Sequence, residues 1–226
     1  MALAAMAAAY AWWVHEPQPT DTSDLCAIFE EKGSWYRHTK RSARLYGVPE
    51  AVQMAILHQE SGLNQRARPP RRRILKILPG PRPSTAYGYA QALDSTWEEY
   101  RERTGRSRAR RDRFGDAAHF VGWYGREIHR LTGVKRTDAR GLYLAYHEGP
   151  GGYRRGTHLG KSWLLRTADR VGRRADRYAR QLDGCRERLE RWMLWPWFLV
   201  AAAVAVGGGI LWTRRGPAPR RRRRRN

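Results

Sequence analysis

The sequence predicts a mainly α-helical fold. Apolar side chains recur at spacings of three and four through most of residues 48–189, and glycine stands at the end of four of these stretches. No run reads as a β-strand over useful length. At the C-terminal end, residues 192–212 (WMLWPWFLVAAAVAVGGGILW) carry no charge, which predicts a helix that spans a bilayer. The expected organisation is an apolar export signal or anchor with a linker at 1–25, a helical domain at 26–190, a transmembrane helix at 191–213 and an arginine-rich tail at 214–226.

From the N-terminus, MALAAMAAAYAWWV is apolar but too short to span. It looks like the core of a secretory signal, with A-x-A patterns at Ala7-Ala8-Ala9 and Ala9-Tyr10-Ala11 but no basic segment before it. An uncleaved anchor or a late start codon explains it equally well. Gly47-Val48-Pro49 then opens a helix, because proline suits the first turn. Val48, Val52, Ala55 and Ile56 form its apolar stripe, Glu60 falls on the same face, and Gly62 ends it. Residues 66–84 (RARPPRRRILKILPGPRPS) read as an exposed loop rich in proline and arginine, in which 74–78 tucks one short turn against the domain. That loop is either plainly solvated or a basic lip facing an anionic substrate.

Ser95 and Glu98 suggest a capping box for a helix running to Gly105. Ala117, Phe120, Val121, Tyr124, Ile128 and Leu131 keep helical spacing from Asp116 to Gly133. A further helix runs from about Asp138 through Leu142 and Ala145 to Gly149. The last soluble helix carries Leu164, Ala168, Val171, Ala175, Tyr178, Leu182, Cys185 and Leu189 at alternating spacings of four and three. Such a seam at 164–189 either packs on its own domain, which the small Ala168 and Ala175 favour, or pairs two chains as a homodimer. Trp192, Trp195, Trp197 and Trp212 flank the apolar span as interfacial anchors would. The arginines that follow keep the tail in the cytoplasm by the positive-inside rule, which puts the domain on the far side.

The net charge of +23 in 226 residues says nothing of fold, but it points to a polyanionic partner: nucleic acid, an anionic membrane or an acidic wall polymer. The 10 Trp and 11 Tyr, against 4 Phe, suit sugar rings, bases and membrane interfaces alike. Cys26 and Cys185 would be two buried thiols in a reducing compartment. In an oxidising one they could close a loop around almost the whole domain, and export favours that bond. No Cys/His spacing suits zinc, and no metal or organic cofactor is indicated. His147-Glu148 begins like a zinc-protease helix, but position 151 is Gly. Gly160-Lys161-Ser162 ends like a phosphate-binding loop, but the glycine required five residues earlier is Arg155.

Chemistry centres on Glu60. Its place on the apolar face predicts partial burial, and desolvation raises a carboxyl pKa because it disfavours the charged form. A raised pKa is what a general acid for glycosidic cleavage needs near neutral pH.

Three segments then carry a resemblance. HQESGLN (58–64), AYGYAQALDSTW (86–97) and LAYHEGPGGYRRG (144–156) resemble, in that order, the catalytic motifs of lytic transglycosylases of the soluble-lytic-transglycosylase (SLT), lysozyme-like type. Glu60-Ser61 matches the family's Glu-Ser pair. Gly88-Tyr89-Ala90-Gln91 matches its Gly-x-x-Gln motif, and Ala145-Tyr146-His147-Glu148-Gly149 its Ala-Tyr-Asn-x-Gly motif. The resemblance covers about residues 43–178. His147 stands where the family has Asn, Ala90 replaces a bulky apolar residue, and the Glu60-to-Gln91 connection is longer than usual.

The resemblance implies a lysozyme-like domain that cleaves the bond between N-acetylmuramic acid and N-acetylglucosamine in peptidoglycan glycan strands. Glu60 would protonate the glycosidic oxygen, the substrate's N-acetyl group would stabilise the developing charge, and Glu60 would then deprotonate the C6 hydroxyl to close a 1,6-anhydro ring. Ser61, Gln91, Tyr146 and His147 would bind or orient substrate and carboxyl group. Hydrolytic glycosidases use two carboxylates. Asp94, which could cap the Ser95 helix, and Glu148, expected to be exposed, are the nearest candidates for a second. A goose-type muramidase and a non-catalytic wall-binding anchor are the alternatives. The expected location is the inner membrane, with a single C-terminal span, a periplasmic catalytic domain and a cytoplasmic tail. No nucleic acid is expected on the domain's side.

Overall fold

The computed structural model describes residues 16–213 other than 72 and 75–77, with the backbone alone for 73–74, 78–79 and 192–213. The chain divides into two compact units after Cys185. Its elements are α1 (Leu25–Glu31), α2 (Gly33–Tyr46), α3 (Glu50–Ser61), β1 (Arg73–Ile74), β2 (Leu78–Pro79), α4 (Asp94–Thr104), α5 (Phe114–Thr132), α6 (Ala139–Arg154) and α7 (Ser162–Thr213). The fold is mainly helical, as the spacing predicts.

Helix α3 is the core. Residues 51–57 are all buried, including Gln53, whose side-chain amide donates to the Val48 carbonyl at 2.7 Å. The stripe read from sequence therefore understates the helix, which is covered all round. A helix that is apolar on every side belongs in the interior.

Helices α1 and α2 have no counterpart in the sequence-based expectation. Asp24 caps α1 by accepting from the backbone N–H of Cys26 at 2.7 Å. The buried face of α2 is Trp35, Tyr36, Thr39, Ser42 and Tyr46. Two of these are small polar residues whose hydroxyls donate to carbonyls, Thr39 to Trp35 and Ser42 to Ala118 at 2.8 Å, so no continuous apolar stripe marks the helix. Helix α2 packs closely on α5. A Cβ on Gly122 would stand 2.2 Å from Ser42 Oγ, so the interface requires glycine there.

Several expectations are corrected. The Ser95–Glu98 capping box does not form. Helix α4 starts two residues earlier, with Leu93 in place of Ser95 at its N-cap and no side-chain cap, and the Asp94 N–H is satisfied at 3.1 Å by Thr85 Oγ1 from the preceding loop. Leu131 is 39 % exposed, so the stripe of α5 ends before it. Asp138 caps α6 through the Gly141 N–H at 2.9 Å, but α6 continues past Gly149 (φ 70°, ψ 155°) into a second helical segment containing Pro150. Within the loop at 66–84, Arg73–Ile74 pairs antiparallel with Leu78–Pro79, and residues 75–77 of the expected turn at 74–78 lie outside the described residues. Two paired residues per strand leave no periodicity to read.

The seam of α7 packs within the chain. Leu164, Ala168, Val171, Ala175, Tyr178, Leu182, Cys185 and Leu189 are all buried in the single chain, as the small Ala168 and Ala175 favour. The Tyr178 hydroxyl donates to the Thr22 carbonyl at 2.5 Å and hydrogen-bonds His58 at 2.7 Å. Cys185 is joined to Cys26 by a disulfide across 159 residues. Among the described residues no helix is long and apolar enough to cross a membrane. The proposed span at 192–212 has no described side chains, and the N-terminal apolar segment and the arginine tail lie outside the described residues.

Two outcomes follow for stability. Removing the disulfide, by Cys26→Ser with Cys185→Ser, lowers the unfolding free energy in denaturant by about 2–4 kcal/mol, because so long a loop strongly restricts the unfolded chain. An unchanged midpoint would mean the bond does not form. Gly122→Ala forces α2 and α5 apart and costs about 1–3 kcal/mol as overpacking. A neutral result in the same titration would show that the helices are not in contact there.

Candidate active site

Glu60 occupies the last turn of α3, where the buried core meets a cleft. Its helix end is held from α7: His58 by Tyr178, and Gln59 by the Arg174 guanidinium, which donates to its side-chain carbonyl at 3.4 Å. Burial pushes the Glu60 carboxyl up to about 8, against a smaller opposing effect of a hydrogen bond from the Tyr143 hydroxyl. Glu60 is half-buried at the cleft, and this partial loss of water favours the protonated acid at neutral pH.

The second wall is the loop bearing the Gly-x-x-Gln motif. Gly88 (φ 76°) lies where a Cβ would stand 2.1 Å from the Arg111 carbonyl oxygen, so only glycine fits. Its N–H donates to the Ala67 carbonyl at 3.0 Å, and the next N–H, of Tyr89, donates to Arg111 at 3.2 Å. Gln91 has a positive φ of 46°. Its side-chain nitrogen donates to the carbonyls of Ala67 (2.9 Å) and Gly88 (2.8 Å), so the amide presents its acceptor oxygen to the cleft. The loop is also braced from behind. Glu16 accepts from the Tyr89 hydroxyl at 3.1 Å and from the Trp35 indole at 2.6 Å, and Trp35 stacks on Phe114 at 3.9 Å.

Helix α6 supplies the third wall. Tyr146 donates to the Ala90 carbonyl at 2.6 Å, which ties α6 to the motif loop, and it packs edge-on against Tyr124 at 5.3 Å. Burial, followed by the nearby Glu60, raises its pKa well above the ordinary value, so the hydroxyl remains a donor. Gly149 breaks the helix just after His147 and Glu148. The Glu148 carboxylate then accepts from Lys161 through both oxygens at 2.8 Å, from Thr157, and contacts His147 at 3.1 Å. Burial acts to raise its pKa, but these hydrogen bonds and the Lys161 charge prevail and hold it at about 2.

A cavity of about 400 Å³ joins these walls. Glu60, Gln91, Tyr146 and His147 line it together, with Leu93, Tyr124 and Glu148. Ser61 does not line it, and its hydroxyl donates to the Leu57 carbonyl in its own helix at 3.1 Å. Asp94 lies outside too: its side chain is 63 % exposed and pairs with Arg111 at 2.7 Å. Glu148, expected to be exposed, has a side chain only 5 % exposed because Lys161 folds over it. Among the described residues no group of three or more His, Cys, Asp or Glu is arranged to hold a metal ion.

Sequence reasoning missed Tyr143, the hydrogen-bond partner of Glu60. Its spacing of three from Tyr146 on one helix was the available signal. It also missed Glu16, which nothing local connects to the Tyr89 loop.

No curated protein and no solved structure matches the chain. A family model described as the transglycosylase SLT domain matches residues 1–185, most of the chain, and ends at the same cysteine that closes the first compact unit. All three motif segments fall inside that match, and the chain belongs to the transglycosylase SLT domain family.

Proposed function

We propose that this chain is a lytic transglycosylase that cuts the N-acetylmuramic acid to N-acetylglucosamine bond of peptidoglycan, with Glu60 as both acid and base. Family membership supports peptidoglycan lytic transglycosylase activity in general. The observation that carries the finer reading is that, of the two carboxyl groups lining the cleft, Glu60 alone is pushed up, to about 8, whereas Glu148 is held ionised. Glu60 gives that proton to the glycosidic oxygen as the bond breaks. The substrate's N-acetyl oxygen stabilises the positive anomeric carbon. Glu60, now a carboxylate, accepts the proton of the C6 hydroxyl as that oxygen bonds to C1, leaving a 1,6-anhydro sugar and a restored acid. Tyr143 steadies the carboxylate between the two steps, Gln91 and Tyr146 orient the sugar, and His147 takes the place of the family's asparagine.

Glu148 lends the hydrolytic, goose-type alternative one specific observation, since it is an ionised carboxylate lining the same cavity. It makes a poor base, however. A carboxylate held at about 2, with Lys161 on both oxygens, has little tendency to take a proton from water. Its role in this reading is to anchor the chain after Gly149. The domain works in the periplasm, tethered by the apolar segment at 192–212, and its positive charge suits a wall rich in stem-peptide carboxylates.

Digestion of purified peptidoglycan analysed by mass spectrometry tests the reading. The native protein yields anhydromuropeptides, and Glu60→Gln loses activity by about 10²–10⁴-fold. Reducing-end products would transfer the role of base to Glu148. Intact binding without any product would leave a wall anchor.

The pH dependence has a definite sign. The acid must be protonated, so kcat/KM falls as pH rises through about 8. The folded pKa lies above the ordinary 4.5, so Glu60 contributes stability that is full below 4.5 and lost as pH rises through about 8. Glu60→Gln, which has no charge to desolvate, therefore gains stability relative to the native protein across that interval. A constant difference in melting temperature from pH 5 to pH 8 would contradict this.

A further inference from the structure

We propose that Trp163 extends the glycan cleft by one sugar-stacking subsite beyond His147. The inference rests on the glycan-cleaving reading and deepens it by adding a binding residue outside the three motifs. Trp35, Trp97 and Trp123 are buried at 0 %, 6 % and 1 % exposure, whereas Trp163 is 50 % exposed. A single exposed apolar side chain needs no special explanation. Its position does.

Trp163 sits in the first turn of α7, and its ring stands edge-to-face on His147, with centroids 5.2 Å apart and planes at 78°. His147 lines the same cavity as Glu60, and the indole adjoins that wall through it. The connection before it is fixed to the cleft: Lys161, two residues earlier, pairs with Glu148, another lining residue, through both carboxylate oxygens. On the other side, the buried Leu164 donates its N–H to the Lys161 carbonyl at 2.8 Å, and the Trp163 carbonyl accepts from Thr167 Oγ1 at 2.9 Å. The backbone beneath Trp163 is therefore fixed before any ligand arrives, and the His147 contact orients the ring, which lowers the ordering cost of binding. Leu45 and Leu131, similarly exposed, have no tie to the cavity.

The ligand class follows from the ring. Indole offers a flat face with negative π density and a polar N–H at its edge, which matches the polarised C–H face of a pyranose flanked by hydroxyls. A glycan strand bound across Glu60 and passing His147 would place its next sugar on Trp163. The occupant is thus a further residue of the same glycan strand.

The test uses the full chain and peptidoglycan glycan strands stripped of stem peptides, sorted by length. KM and kcat are measured for the native protein, Trp163→Ala, Trp163→Phe and the control Leu45→Ala. Equilibrium affinity is measured in a Glu60→Gln background, where strands stay intact. Trp163→Ala should raise KM on long strands about tenfold, the scale of one aromatic contact, and shrink the preference for long over short strands. Trp163→Phe should recover most of it, and Leu45→Ala should match the native protein. Equal KM and equal affinity for native and Trp163→Ala would overturn the subsite. If no variant cuts strands but Trp163→Ala still binds them about tenfold more weakly, the subsite stands and the transglycosylase reading fails. If the native protein neither binds nor cuts, both fail.

Discussion

Helix α3 has no solvent-facing side along residues 51–57, yet a carboxyl group stands in its last turn. Burying the body of the helix strips Glu60 of part of its water. It also obliges every neighbouring element to close over α3 and leave one opening at its end. Transfer of an ionised carboxylate into such a place is costly unless a cation or several donors compensate. Here the named partner is a neutral phenol, Tyr143, so the group responds by holding its proton. The same packing that stabilises the domain therefore sets the state of its acid.

The other two walls of the cleft are fixed by charged groups at their outer edges. Glu148 and Lys161 tie the break at Gly149 to the start of α7, and Glu16 joins Tyr89 to the stacked Trp35 and Phe114. These carboxylates have roles opposite to that of Glu60. Glu148 is ionised because its donors outweigh burial, and it is spent on geometry. Two acids lining one cavity are thus driven to different protonation states by their surroundings, the pattern by which acid and structural roles are separated. Tyr146 completes the arrangement by bonding the motif loop to α6 through Ala90.

Much of this was legible in the sequence. The spacing of Val52, Ala55 and Ile56 located α3, Gly62 ended it, and the same register placed Glu60 toward the interior. Gln91, Tyr146 and His147 were marked by their motifs and do meet Glu60 in one cavity. Helix α2 escaped because its inward face includes Thr39 and Ser42, whose polarity is cancelled only by carbonyl partners that a linear pattern does not show. The start of α4 escaped because its first amide is satisfied by Thr85, from outside the helix. Glu148 looked exposed because nothing in its neighbourhood announces that Lys161, thirteen residues on, folds back over it. Local chemistry was readable, and partners brought together by the fold were not.

The most direct test of the account is the ionisation of Glu60 itself, followed by ¹³C NMR of the carboxyl carbon in the native protein and in Tyr143→Phe, with Glu60→Gln to assign the signal. The account predicts a midpoint near 8 in the native protein, and a higher one in Tyr143→Phe, because the phenol's hydrogen bond favours the carboxylate. A native midpoint near the ordinary 4.5 would mean that water reaches Glu60 freely, and the carboxyl group could not be the acid that this fold holds in reserve.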